Sequence, residues 1–185
     1  MGIDVLFIQG GGAGAYDEDS KLAESLKREL GVEYRVKFPS MPNEDDPEYE
    51  VWKPVIGKEM AGSPGKTILV APSVGAYILL KYLIDEGTSK PLPGIFIIAA
   101  PFPGGDNHWD FEGFSLPKNF GEKLPRGAKV FLYRSRDDDI VPFAHLTLYA
   151  QEFPRAIARE TVGGHQLGND LSIVAEDIKR LRTSD

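Results

Sequence analysis

Apolar residues gather in short runs at 3–9 (IDVLFIQ), 66–71 (KTILVA), 94–100 (GIFIIAA) and 129–134 (KVFLYR), rich in Ile, Val and Phe and closed by Gly, Pro or Ser. Such runs predict buried strands, apolar on both faces, as in a parallel sheet covered by helices on both sides. Val32, Tyr34, Val36 and Phe38 instead alternate with Glu33, Arg35 and Lys37, and 156–162 (AIARETV) is similarly mixed. These two segments predict half-exposed edge strands. Helical spacing fills the gaps: Leu22, Leu26 and Leu30 recur behind the acidic start DEDS, and Leu171, Val174, Ile178 and Leu181 form one stripe near the C-terminus. Segment 74–86 is apolar on most faces and predicts a deeply packed helix, while Pro54 inside 48–61 predicts either a kink or a later helix start. Alternating strands and helices with short connections predict a three-layer α/β/α sandwich. Its sheet is doubly wound and mainly parallel, of about six strands, in a single domain spanning 1–185.

Ligands of such sheets bind beyond the carboxyl ends of the strands, which directs attention to loops 10–16, 39–47, 71–75, 101–117 and 134–142. Ser73 stands at one of these ends, in Ala71-Pro72-Ser73-Val74-Gly75. Small residues two before and two after a serine let strand and helix approach closely around a strained turn that exposes the hydroxyl. A lone match of this kind more often marks a helix cap. A serine becomes a nucleophile only when a base takes its proton and an acid orients that base. An acid among Asp137, Asp138 and Asp139 follows the strand 129–134, and His165, behind Gly163 and Gly164, follows 156–162. Both are thereby brought to the same sheet edge as Ser73. His145 falls in a helix at 143–152 that is expected to point it away from the cleft, and His108 precedes the acids.

The irregular stretch 101–117 (PFPGGDNHWDFEGFSLP) begins beside Ser73. Of its aromatics Phe102, Trp109, Phe111 and Phe114, at least two are expected to cover the core edge. Phe102, Trp109 and Phe111 are the candidates for an acyl or alcohol pocket. A rival reading comes from Gly10-Gly11-Gly12-Ala13-Gly14-Ala15, which satisfies the G-x-G-x-x-A of a dinucleotide-binding turn. The second strand ends Lys37-Phe38-Pro39-Ser40 without the expected ribose-binding acid, leaving Lys37 as the conceivable phosphate contact of an NADP site. A non-catalytic ligand- or partner-binding module on the same fold is the third reading.

The strand-small-x-Ser-x-Gly-helix segment, Asp138-x-x-Val141-Pro142 and the late Gly164-His165 resemble the α/β-hydrolase superfamily, over nearly the whole chain. The resemblance is to its small cap-less members of the RBBP-type and YdeN-like serine hydrolases. It implies a serine hydrolase, esterase-like, with Ser73 as nucleophile, His165 as base and Asp138 as the orienting acid, Asp137 being the alternative. It further implies an oxyanion hole from the amides of Gly11 and Val74, and no cofactor. Ala71 and Pro72 depart from the family pattern, where a glycine and more often a histidine stand. Proline forces Ala71 into an extended conformation, which the end of a strand already has.

Charge and composition narrow the partners. The 28 acidic and 21 basic residues give a net charge of −7 with no basic stripe, which argues against nucleic acid. The apolar start MGIDVLFIQ is too short to span a bilayer and carries no basic leader. With no cysteine in the chain, the expectation is a cytoplasmic protein acting on a small molecule. No ligand spacing for a metal occurs among the acids and histidines, and the oligomeric state is left open.

Overall fold

The computed structural model describes residues 3–63, 65–105, 109 and 115–181. His108, Phe111 and Phe114 lie outside them. The elements are β1 (Ile3–Phe7), α1 (Ala15–Leu30), β2 (Tyr34–Lys37), α2 (Tyr49–Ala61), β3 (Thr67–Pro72), α3 (Ser73–Asp85), β4 (Gly94–Ile98), β5 (Lys129–Ser135), α4 (Ala144–Glu152), β6 (Ile157–Thr161) and α5 (Ser172–Leu181). The strands form one six-stranded sheet in the order β2-β1-β3-β4-β5-β6. Every neighbouring pair is parallel, with Val5 beside Ile68, Leu69 beside Ile95 and Ile97 beside Leu132.

The apolar runs need no polar alternation because both strand faces are buried. Val5, Phe7, Ile68, Val70, Phe96, Ile98, Phe131 and Tyr133 pack with the leucine stripe of α1 and the stripe of α5. The intervening residues, among them Leu6, Ile8, Leu69, Ala71, Ile95, Ile97 and Leu132, meet α2, α3 and α4. Period-two geometry thus sends neighbours in sequence to opposite cores.

One local expectation is corrected and one pair of alternatives is narrowed. Val32 is fully exposed and lies in a turn, closed by Tyr34 N–H donating to Gly31 O (3.2 Å), so the buried alternation of β2 starts only at Tyr34. Of the two alternatives at Pro54 the later start falls away, because α2 begins at Tyr49 and holds Pro54 inside it. Pro54 sits on the exposed face, where water can reach the Glu50 carbonyl that loses its helical donor. Trp52, on the buried face, ties α2 to loop 39–47 by donating Nε1–H to Pro42 O (2.8 Å).

Strand order reverses between β1 and β3. The crevice beyond their carboxyl ends is therefore the topological switch point where ligands of open parallel sheets bind. The glycine loop after β1 and Ser73 after β3 both border it.

Candidate active site

Pro72 ends β3 in an extended conformation (φ −91°, ψ 159°), and Ser73 then takes φ 49° as α3 begins. A non-glycine residue in the left-handed region is strained, typically by about 1–3 kcal/mol, and such strain gathers at functional turns. The proline is accommodated as expected: the position is extended, and Pro72 lies beside Ile98 of β4. Gly75 shows why the turn demands small residues. A Cβ there would lie 1.9 Å from the Gln9 carbonyl oxygen and 2.8 Å from its carbon, both fixed backbone. Gly75→Ala is accordingly expected to destabilise the fold by about 3 kcal/mol or more in chemical denaturation. This is opposite in sign to the gain of about 1 kcal/mol that alanine gives at an unobstructed helical glycine.

Ser73 Oγ lies 3.1 Å from Nε2 of His165, whose Nδ1 lies 3.0 and 3.1 Å from the two carboxylate oxygens of Asp138. Among the three aspartates left open by the sequence, Asp138 is the one against the imidazole. Its Oδ1 also accepts from the amides of Ile140 (3.0 Å) and Val141 (2.9 Å). Burial alone would raise its pKa, but His165 and the amides of Val141 and Ile140 outweigh burial and hold it below the usual carboxylate range. An ionised Asp138 can only accept, so Nδ1 carries the imidazole proton and Nε2 is free to accept from the serine. Asp137 does a different job. It accepts from the amides of Gly163 (3.0 Å) and Gly164 (3.1 Å), which hold its pKa down and fix the turn that presents His165. That turn needs glycine: Gly163 has φ 108°, and a Cβ would meet Gly168 N at 2.5 Å.

The other candidates fall as follows. Gly11 packs on Pro47, and its amide donates to nothing among the described residues. Val74 is the second residue of α3, in the first turn, where amides have no acceptor within the helix. Phe102 and Trp109 pack against the core, Phe102 edge-on to Tyr149 with centroids 5.1 Å apart. His145 is buried, its Nδ1 accepting from the Phe102 amide (2.7 Å).

The glycine loop is not built for a dinucleotide. The Gly10 amide donates to the buried carboxylate of Asp19 (2.6 Å), and the Gly12 amide to Glu44 O (2.6 Å). A carboxylate thus stands where a pyrophosphate would need donors. Lys37 is engaged elsewhere, with Ser63 Oγ at 3.2 Å and Asp4 at 3.9 Å. Asp19 also accepts from Gln166 Nε2 (3.0 Å), and burial raises its pKa. Gln9 bridges the loop to Glu44 (2.7 Å) and to the Met41 amide (2.8 Å). Asp19, Gln9, Glu44 and Gln166 escape sequence reasoning, because their partners lie up to 147 residues away. Among the described residues no group of three or more His, Cys, Asp or Glu is placed to hold a metal, and no helix is long and apolar enough to cross a membrane.

Comparison with known proteins agrees with this architecture. The Bacillus subtilis (strain 168) protein YdeN is 27% identical over 145 residues, 78% of this chain and 76% of that one. The crystal structure of the ydeN gene product superposes with a TM-score of 0.78 at 24% identity, covering 98% of this chain and 100% of the other. A Xanthomonas campestris pv. campestris structure assigned to the α/β hydrolase superfamily matches with a TM-score of 0.66 at 16% identity over the whole of both chains. CarC, a serine hydrolase involved in carbazole degradation, matches with a TM-score of 0.70 at 14% identity over 100% of this chain and 92% of its own. Residues 17–170 match the family model described as serine hydrolase. The chain is a YdeN-like member of the serine hydrolase family, with the α/β-hydrolase fold.

Proposed function

We propose that the protein hydrolyses a small ester or related acyl bond through a Ser73-His165-Asp138 triad. The observation that carries this reading is the continuous hydrogen-bonded line from Asp138 through His165 to Ser73 Oγ, ending on the strained turn at φ 49°. Ser73 Oγ attacks the acyl carbon while its proton passes to His165 Nε2. The imidazolium so formed is stabilised by Asp138 and returns the proton to the leaving oxygen as the acyl-oxygen bond breaks. Water then attacks the acyl-enzyme, giving its proton to Nε2, and the collapse of the second tetrahedral intermediate restores Ser73 and releases the acid. The amides of Gly11 and Val74 serve the oxyanion, at about 3 kcal/mol per donor in enzymes of this chemistry. Phe102 and Trp109 line the approach for the acyl or alcohol group.

Fluorophosphonate treatment followed by intact-mass analysis and peptide mapping tests the reading. One adduct is expected, on Ser73. Labelling at another residue, or none at a reagent excess that saturates an ordinary serine hydrolase, overturns it. Pro72, a departure from the family pattern that would recommend the non-catalytic module, keeps the extended conformation that the end of β3 has (φ −91°, ψ 159°).

A further inference from the structure

Behind Asp138 lies a second charge that the hydrolytic scheme does not use. Arg134, near the end of β5, has a side chain 2% exposed against an Asp138 side chain that is 0% exposed. Its Nη1 donates to Asp138 Oδ2 (3.2 Å) and Val141 O (3.0 Å), and its Nη2 to Ala100 O. The Nε has no partner among the described residues. Burying a guanidinium is costly, and burial pushes its pKa down while Asp138 pulls it back up. Holding the chain after β4 does not require that cost. The next carbonyl, Pro101 O, accepts from the neutral hydroxyl of Tyr149 (2.8 Å), and the amide after it donates to His145 (2.7 Å). What a neutral donor could not supply is a permanent positive charge against the acid, at the Oδ2 that also faces His165 Nδ1.

We propose that Arg134 is a positioning residue for the hydrolytic site, whose fixed charge offsets part of the charge of Asp138 and so keeps the His165 imidazole able to accept a proton at lower pH than beside an unpaired carboxylate. This rests on the hydrolase reading above. The groups facing His165 are Asp138 and, from α1, Asp19. Asp137 stands behind the Gly163 and Gly164 amides. Those facing Arg134 are Asp138 and, from α4, Tyr149. Arg134 is the one cation in this set, so its removal leaves the imidazolium surrounded by carboxylates that favour it.

The test compares wild type, Arg134→Met and Arg134→Lys by the pH dependence of fluorophosphonate labelling rate and of kcat/KM on p-nitrophenyl acetate. In Arg134→Met the acid limb of both profiles is expected to move about one unit to higher pH. The plateau should stay within about tenfold of wild type, because base and nucleophile remain in place. Arg134→Lys should restore the limb to the wild-type position. An unmoved limb in the Met variant, whatever its rate, makes Arg134 a strut and overturns the proposal. If near-UV circular dichroism shows the Met variant unfolded, Arg134→Gln, neutral and hydrogen-bonding, is read in the same way. A wild type that takes no label brings down the hydrolase reading itself and the role of Arg134 with it. A labelled wild type with an unmoved variant limb brings down the role of Arg134 alone.

Discussion

Ser73→Ala is expected to lower ester turnover by roughly 10⁴ or more and to remove the fluorophosphonate adduct, with the melting temperature shifted by only about 2–4 °C. The loss is large because Ser73 Oγ is the hydroxyl 3.1 Å from His165 Nε2, and in the proposed mechanism no acyl-enzyme forms without it. The small change in stability follows from the backbone: alanine keeps the strain of φ 49° and removes only a hydroxyl bonded to one partner. Ser73→Gly separates the two quantities further. Glycine adopts the left-handed region without a Cβ penalty, so this variant should be equally inactive and more stable than Ser73→Ala by about 1 kcal/mol in denaturant titration. Residual turnover that survives both substitutions at the wild-type level would assign the chemistry to another group.

The sequence made the sheet legible because parallel strands buried on both faces must be apolar throughout, and each apolar run became a strand within a few residues of its expected bounds. It also made the strand-end positions of Ser73 and His165 legible, since chain direction alone places the ends of parallel strands on one edge. What it could not resolve depends on turns and on distant partners. Asp137, Asp138 and Asp139 are indistinguishable in composition. Which of them meets the imidazole is decided by a turn in which the Asp138 amide bonds Ser135 O (3.4 Å) and its carboxylate caps Ile140 and Val141. Nothing in the run 129–134 singles out Arg134, because Ala100, whose carbonyl it holds, is 34 residues back. Val32 continued the β2 alternation on paper, yet the turn at Gly31 keeps it out of the strand. Phe111, a candidate for the pocket, lies outside the described residues.

Asp138→Asn is expected to cost about 10⁴ in kcat, far beyond the effect of mere charge loss. The reason is the hydrogen-bond bookkeeping around the carboxylate. Oδ1 accepts from two amides and Oδ2 from Arg134, and His165 Nδ1 stands within 3.1 Å of both. Asparagine has one oxygen for these donors. With that oxygen kept on the Ile140 and Val141 amides, its NH₂ confronts Arg134 and His165 Nδ1, and Nδ1 must become an acceptor. The imidazole proton then sits on Nε2, facing Ser73, where it blocks the transfer that starts the reaction. Asp137→Asn retains a carbonyl oxygen for the Gly163 and Gly164 amides, so its loss should stay within about tenfold. Asp139→Asn, at an exposed position, should be silent. Steady-state kinetics on p-nitrophenyl acetate for the three variants decides the matter: the steep order 138, 137, 139 is expected, equal small losses would return all three acids to a solvated turn, and a dominant effect at Asp137 would move the orienting role there.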